Sequence, residues 1–381
     1  MHIVLLAQCI TEACVSVRDN RRYLSAAGRK KVLNLAAYLN SLGHQVSILS
    51  NSYAKGSYPQ MVEQIGERMT VWHAPTWALG RSTPFRRGLA AGFNLRWLRR
   101  HRSQIDLAII YNYHLEYSLP ALCARRWLAL PFVLDYEDGL YLVRHYQRPL
   151  YRWIERAVYR GCSAVIVVNP GLRQRMLACG VDKPTAVING YFNAADVAAL
   201  TAAPGTQREI LFAGNFSRGF GFDELQRYIQ HCPSGWTINV CGRGGPAETE
   251  ALRRQCDASD RATFLGFVTD QALAALQQRA MAVIVLNDNR SEFNQTNFPS
   301  KLFDHLSAGK TIVCTANQLL AEYAGLSCMV QLDSIEHEFA QLDRRLADAR
   351  FVPGEVVALH NDMRTRLVAL LEAARRSGNP Q

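Results

Sequence analysis

Lysine is scarce in this chain: of 43 basic residues, 37 are arginine and only six are lysine. Other absences are equally informative. No apolar run approaches the roughly 18 to 20 residues that cross a bilayer, so no membrane-spanning helix is expected. The ten cysteines are scattered, without a C-x-x-C pair or a histidine spacing suited to zinc. A disulfide framework and a structural metal site are therefore not expected, and a reducing cytosol is. There is no low-complexity tract. The opening "MHIVLLAQC" lacks a basic leader and reads as a buried strand rather than a signal peptide.

The remaining composition is that of a folded protein, 49% hydrophobic and 20% charged over 381 residues, which is long enough for two domains. The net charge of +11 suits nucleic acid, anionic lipid or a phosphorylated ligand. The arginine excess fits phosphate recognition and also the codon bias of a GC-rich genome, and composition alone does not choose between them.

Short apolar runs alternate with helical stretches. In the first half these are 2–7, 45–50, 70–74, 107–111, 132–136, 164–168 and 185–189; the second series is 209–215, 237–242, 262–267, 281–287 and 311–315. Continuous apolar strands separated by helices predict parallel sheets covered on both faces. The helix at 29–43 places Val32, Leu35, Ala36, Leu39 and Leu42 on one face, with Gly43 as its stop. A small, polar, Pro/Gly-bearing seam at 194–207 separates a first domain (1–193) from a second (208–352). A helix over 353–381 follows, free to pack back on the first domain. The expected architecture is two doubly wound Rossmann-like α/β domains facing a cleft, with ligands at the carboxyl ends of the strands.

The stretch "NFPSKLFDHLSAGKTIV" (297–313) follows such a strand end. Pro299 suits a first helical turn. The amides of Ser300, Lys301 and Leu302 are expected to point into the crevice beside the lysine charge, with Asp304 one turn deeper. Amides and lysine for a diphosphate, with a carboxylate for ribose hydroxyls, suit a nucleotide. An ordinary surface Lys–Asp pair would have the same spacing.

This segment resembles the donor site of GT-B glycosyltransferases of family 4, whose usual form is Glu, seven residues, then a Glu heading "E-A-x-A-x-G-x-P-V". The resemblance puts Asp304 on the ribose-binding glutamate, Gly309 on the glycine and Thr296 where the first glutamate stands. Asn294, Thr296 and Asn297 then remain to meet a sugar. "VINGYF" (187–192) is similar to the entry into the second domain. "LFAGNFSRGFGFDEL" resembles the "G-R-x-x-x-K-G" strand and loop, placing Gly214 and Asn215 at the donor and Arg218 on the phosphate-binding lysine. "INVCGRGG" brings Gly242 and Arg243 past the donor. Although 242–247 also fits G-x-G-x-x-A, it follows the second strand of its domain and lacks the later acid, so no NAD is expected.

In the first domain "LDYEDGLY" sets Glu137 and Asp138 at a strand end, and Asp138 falls where the family carries a donor-contacting histidine. An acid there could contact sugar hydroxyls or take a proton from the acceptor, and a solvated turn would show the same residues. His114 and Glu116 leave the preceding strand toward the same edge.

The segment 81–102 interleaves seven arginines with Phe85, Phe93, Leu95, Trp97 and Leu98. It reads either as a contact for anionic membrane or as a solvated helix, and no nucleic-acid motif accompanies it. The resemblance implies a retaining, metal- and cofactor-free transfer from a UDP- or GDP-sugar to a glycan or lipid-linked acceptor. That suits bacterial surface polysaccharide or glycolipid synthesis in the cytoplasm or on its membrane face. An epimerase of the same fold and a non-catalytic relative are the competing readings.

Overall fold

In a computed structural model the described residues are all but 24–25, 79–82, 193–196, 198, 202–204, 206, 218–219, 287–294 and 378–381. They divide into two units, Met1–Ala194 with Asp362–Gln381, and Ala195–Asn361. The division falls inside the last helix, Pro353–Arg376.

The first unit holds eight strands: β1 (His2–Leu6), β2 (Gln45–Ser50), β3 (Met61–Gly66), β4 (Met69–His73), β5 (Leu107–Tyr111), β6 (Phe132–Tyr136), β7 (Ala164–Val167) and β8 (Thr185–Val187). Their order is β3-β4-β2-β1-β5-β6-β7-β8. All neighbours are parallel except the β3–β4 pair. The central strands are buried along their whole length, as helices on both faces require. β3 differs: "MVEQIG" alternates half-buried and exposed positions at the sheet's edge. No apolar run announces it, which is why the sequence reading passed over it. The helix Ala26–Ser41 covers β2, and Gly43 ends it at φ +81°, a conformation open to glycine.

The second unit has six parallel strands: β9 (Gln207–Asn215), β10 (Thr237–Arg243), β11 (Ala262–Gly266), β12 (Ala280–Ile284), β13 (Thr311–Thr315) and β14 (Met329–Leu332). Their order is β11-β10-β9-β12-β13-β14. β14 was also missed, because "MVQL" is only four residues long and Gln331 interrupts its apolar run. One core joins Ile210, Phe212, Val240 and Ile284 of the sheet to Leu225, Tyr228, Trp236 and Phe339. Among the described residues no helix is long and apolar enough to cross a membrane.

Each order reverses once, at β1/β5 and at β9/β12. In doubly wound sheets such reversals open a crevice at the carboxyl ends of the strands, which fixes where each unit can hold a ligand.

Candidate functional site

In the second unit β9 ends on Gly214 and Asn215 beside the reversal, and β10 ends alongside on Gly242 and Arg243, paired in register with them. Gly242 has φ +142°, and a Cβ there would lie 1.8 Å from the Gly214 oxygen. No side chain fits, so two strand ends present bare backbone to whatever binds. The Asn215 Oδ1 accepts from the Ser217 amide at 2.9 Å, shaping the turn. The Arg243 guanidinium carbon sits 3.8 Å from the Phe267 ring centroid, a cation held over an exposed aromatic.

The helix Lys301–Ser307 is pinned by Leu302, Phe303 and Leu306, all buried. Its opposite side carries Lys301 and Asp304, 47% and 23% exposed, with Nζ 3.6 Å from Oδ2. A flexible lysine and a carboxylate are thus available together at the reversal. The Lys301 charge reaches β10, where it opposes the burial that pushes the Cys241 thiol up to about 11.

The expected cradle of three free amides is not there. The Ser300 N–H donates to the Phe298 oxygen at 2.8 Å and the Leu302 N–H to the Pro299 oxygen at 2.9 Å. Pro299 lies ahead of the first helical turn rather than in it: Ser300 caps the helix, in helical rather than extended conformation, so the tight preceding turn consumes its own donors. The Leu302 side chain is fully buried and offers no polar atom. Thr296 is buried and Asn297 half-buried just before the turn. Gly309 ends the helix at φ +65°. Arg218 and Asn294 lie outside the described residues.

In the first unit the reversal brings together residues that the sequence reading found and residues it did not. Asn112, immediately after β5, is buried with φ +53°. Its Oδ1 accepts the amides of Glu137 (2.9 Å) and Asp138 (3.3 Å), and its Nδ2 donates to Asp138 Oδ2 at 3.0 Å. Asp138 is thereby held in place at the end of β6, half-buried. Burial raises its carboxyl above the usual range, against the Asn112 hydrogen bond. Glu137 is buried against Lys31 in an ion pair, and burial, then the neighbouring Asp135, hold its pKa well above the carboxylate range. His114 Nδ1 lies 2.8 Å from the Tyr146 hydroxyl, and burial lowers the imidazole, favouring the neutral ring. Asp138 and His114 are close enough to influence each other's charge.

Glu116 does not open to the same edge. It is buried, accepting from the Tyr53 hydroxyl at 3.1 Å and lying 3.8 Å from Arg87. Of the two groups not foreseen, Lys31 had a legible signal: it stands one turn before Leu35, on the buried side of its helix. Asn112 had none, since its role depends on a turn conformation.

The Thr83–Arg100 helix divides the residues of the arginine-rich segment between core and surface. Trp97 and Leu98 are buried; Trp97 packs edge-on against Trp72 and stacks on His101. Arg102 donates to the carbonyls of Leu128 (2.6 Å), Ile105 (2.9 Å) and Ala129 (3.3 Å). Trp97 and Leu98 thus belong to the core and Arg102 is half-buried, while Arg96, Arg99 and Arg100 are exposed and Phe93 half-buried.

Residues 27–191 match the family model described as "Glycosyl transferase 4-like domain", and residues 207–348 match "Glycosyl transferases group 1". A search of curated proteins finds no match. Among solved structures, the sucrose-phosphate synthase of Thermosynechococcus elongatus is 16% identical, with a TM-score of 0.58 over 99% of this chain and 97% of that one. The UDP-forming α,α-trehalose-phosphate synthase of Burkholderia xenovorans, in complex with glucose-6-phosphate, is 12% identical with TM-score 0.58 over 99% and 98%. A structure described as trehalose-6-phosphate from E. coli bound with UDP-2-fluoro glucose is 11% identical with TM-score 0.58 over the same shares. At these identities the structures establish shared fold, and the two family matches, which between them take in most of the chain, establish the kind of enzyme: it belongs to the GT-B glycosyltransferases.

Proposed function

We propose that the second unit binds a nucleotide-diphosphate sugar and that the first supplies the groups that meet the acceptor hydroxyl. The observation that carries this is the Lys301–Asp304 pair, exposed at the β9/β12 reversal next to strand ends stripped of side chains at Gly214 and Gly242. Lys301 balances the diphosphate, with Arg218 as a second cation, and Asp304 accepts from the ribose. Asn215 and Arg243 flank the phosphates, the backbone at Ser300 and Leu302 follows the donor's outline, and Thr296 and Asn297 approach the sugar. In the first unit Asp138, steadied by Asn112, contacts sugar or acceptor hydroxyls, with Lys31 and His114 favouring its charged form; Glu137, paired with Lys31, lines the same strand end.

One structural neighbour is bound with UDP-2-fluoro glucose, another is UDP-forming, and a third, a trehalose-6-phosphate synthase, transfers glycosyl groups with retention. Carried to this chain, these support a UDP-linked donor, within the UDP or GDP pair the sequence suggests, and a retaining transfer. The acceptor is a glycan, free or lipid-linked, and the setting is surface polysaccharide or glycolipid synthesis at the cytoplasmic side of the membrane.

Calorimetric titration tests the donor site. Lys301→Ala should weaken nucleoside-diphosphate binding by roughly 1.5–3 kcal/mol, one charged hydrogen bond, while leaving the nucleoside nearly unaffected. Equal losses for both ligands would place Lys301 away from the phosphates. Asp304→Asn should weaken both, and less so for 2′-deoxyribose ligands.

A further inference from the structure

In the first sheet the steps β4 to β5, β5 to β6 and β6 to β7 all advance in one direction. Right-handed crossovers therefore put the helices Thr83–Arg100, Leu115–Leu128 and Pro149–Gly161 on one face. They pack on one another: Asn94 donates to the Glu116 carbonyl, Arg87 reaches the Tyr151 hydroxyl, and Leu122 lies against Gly161.

The outward side of this layer is unusual in two respects. Among the described residues it exposes large apolar groups: Trp127 (69% exposed), Trp153 (60%), Leu150 and Phe85 (both 54%) and Leu119 (42%). The other four tryptophans of the chain are less exposed. Its exposed ionised side chains are also all of one sign. Arg126, Arg144, Arg148, Arg152, Arg156 and Arg160 are exposed. The only acids on the three helices, Glu116 and Glu155, are buried, Glu155 paired with Arg175 at 2.9 Å.

We infer that this three-helix face is a docking surface for an anionic lipid bilayer. Charge selects an anionic partner, since arginines without exposed carboxylates would repel a basic one. Among anionic partners, exposed aliphatic groups on the same helices as the tryptophans, Leu150 three residues before Trp153 and Leu119 eight before Trp127, favour an interface with an apolar side. Tryptophan sits at headgroup depth, leucine enters just below it, and arginine meets the phosphates. A nucleic acid would leave both leucines facing charge. The buried Trp97 takes no part; Trp127 and Trp153 do what the sequence had assigned to it. The surface lies in the unit opposite in sequence to the donor residues, so it stands whether or not the donor reading does.

Sedimentation of the full chain with vesicles tests it. The protein should partition onto mixed phosphatidylglycerol/phosphatidylcholine vesicles and not onto phosphatidylcholine alone, with a blue shift of tryptophan emission. Arg148→Gln with Arg152→Gln and Arg156→Gln should lower partitioning about a hundredfold. Leu150→Ser with Trp153→Ser should lower it about tenfold and reduce the blue shift. These side chains are exposed, so the melting temperature should hold and serves as the folding control. Absence from anionic vesicles, equal binding to neutral ones, or unchanged partitioning of both variants would overturn the inference. So would binding without any emission shift, and so would tighter binding to polyglutamate or double-stranded RNA that the Leu150/Trp153 variant abolishes.

Discussion

Asn112 shows how one residue can be both structural and positional. Its side chain satisfies two buried amides and orients a carboxylate, and its backbone occupies the left-handed region that asparagine tolerates better than most. Asn112→Ala should orphan these donors and impose strain, costing about 2–4 kcal/mol in chemical denaturation. Asn112→Gly removes the strain and keeps the loss of hydrogen bonds, so it should recover about 1 kcal/mol of that. If the two variants are equally stable, the left-handed backbone is not a source of the cost. Gly242 makes a stricter case: any Cβ meets the Gly214 oxygen, so Gly242→Ala should destabilise the second unit by about 3 kcal/mol or more, read as a lowered melting temperature. At this scale the sequence was readable where chemistry depends on residue type and spacing, as for Lys301 and Asp304. It was not readable where a local turn decides, since whether the Ser300 and Leu302 amides are free depends on carbonyls two and three residues back.

Elements buried on both faces were legible because they leave continuous apolar runs, and β5, β6 and β13 coincide with those runs residue for residue. Of the edge strands, β8 and β11 fall within such runs, whereas β3 and β14 do not, since polar residues interrupt them. The edge strand β3 and its neighbour β4 enclose an ionisable network. His73 on β4 is fully buried, with Nδ1 2.5 Å from Ser52 Oγ, and Nε2 3.2 Å from Thr11 Oγ1 and 3.5 Å from Glu63 on β3; the nearby Arg18 charge also acts on it. Burial pushes its pKa down from 6.5 to about 4, despite Glu63. The folded state thus holds His73 neutral where the unfolded chain protonates it. The resulting stability is complete above pH 6.5 and declines as pH falls toward 4, by roughly 3 kcal/mol over that interval. Denaturation of wild type and His73→Gln across this range should show the slope disappearing from the variant; parallel profiles would mean His73 is not the group responsible. The arginine-rich helix gives the converse lesson. Its composition announced a surface, but only packing shows that Trp97 turns inward while Trp127 and Trp153 turn out.

For the whole molecule, each unit has its own sheet, and the Lys301–Asp304 pair belongs to the second alone. A nucleoside diphosphate at a hundred times its Kd should stabilise that unit by about 2.7 kcal/mol and leave the first where it was. Scanning calorimetry should show one transition moving and one stationary. A shift of both together would mean that the units melt as one.

The distribution of sulfur offers a finer reading of the same event. All ten cysteines are free, and the two that are partly accessible, Cys123 and Cys179, both lie in the first unit. The five in the second are buried, and burial lifts Cys232, Cys241, Cys256 and Cys328 to about 11 and Cys314 to about 12. Neutral-pH alkylation must therefore wait for that unit to open, which makes its thiols a stopwatch built into the second unit. Each modified peptide seen by mass spectrometry marks one opening. A ligand that holds the unit shut slows the stopwatch by its own occupancy factor, while Cys123 and Cys179 keep unaltered time.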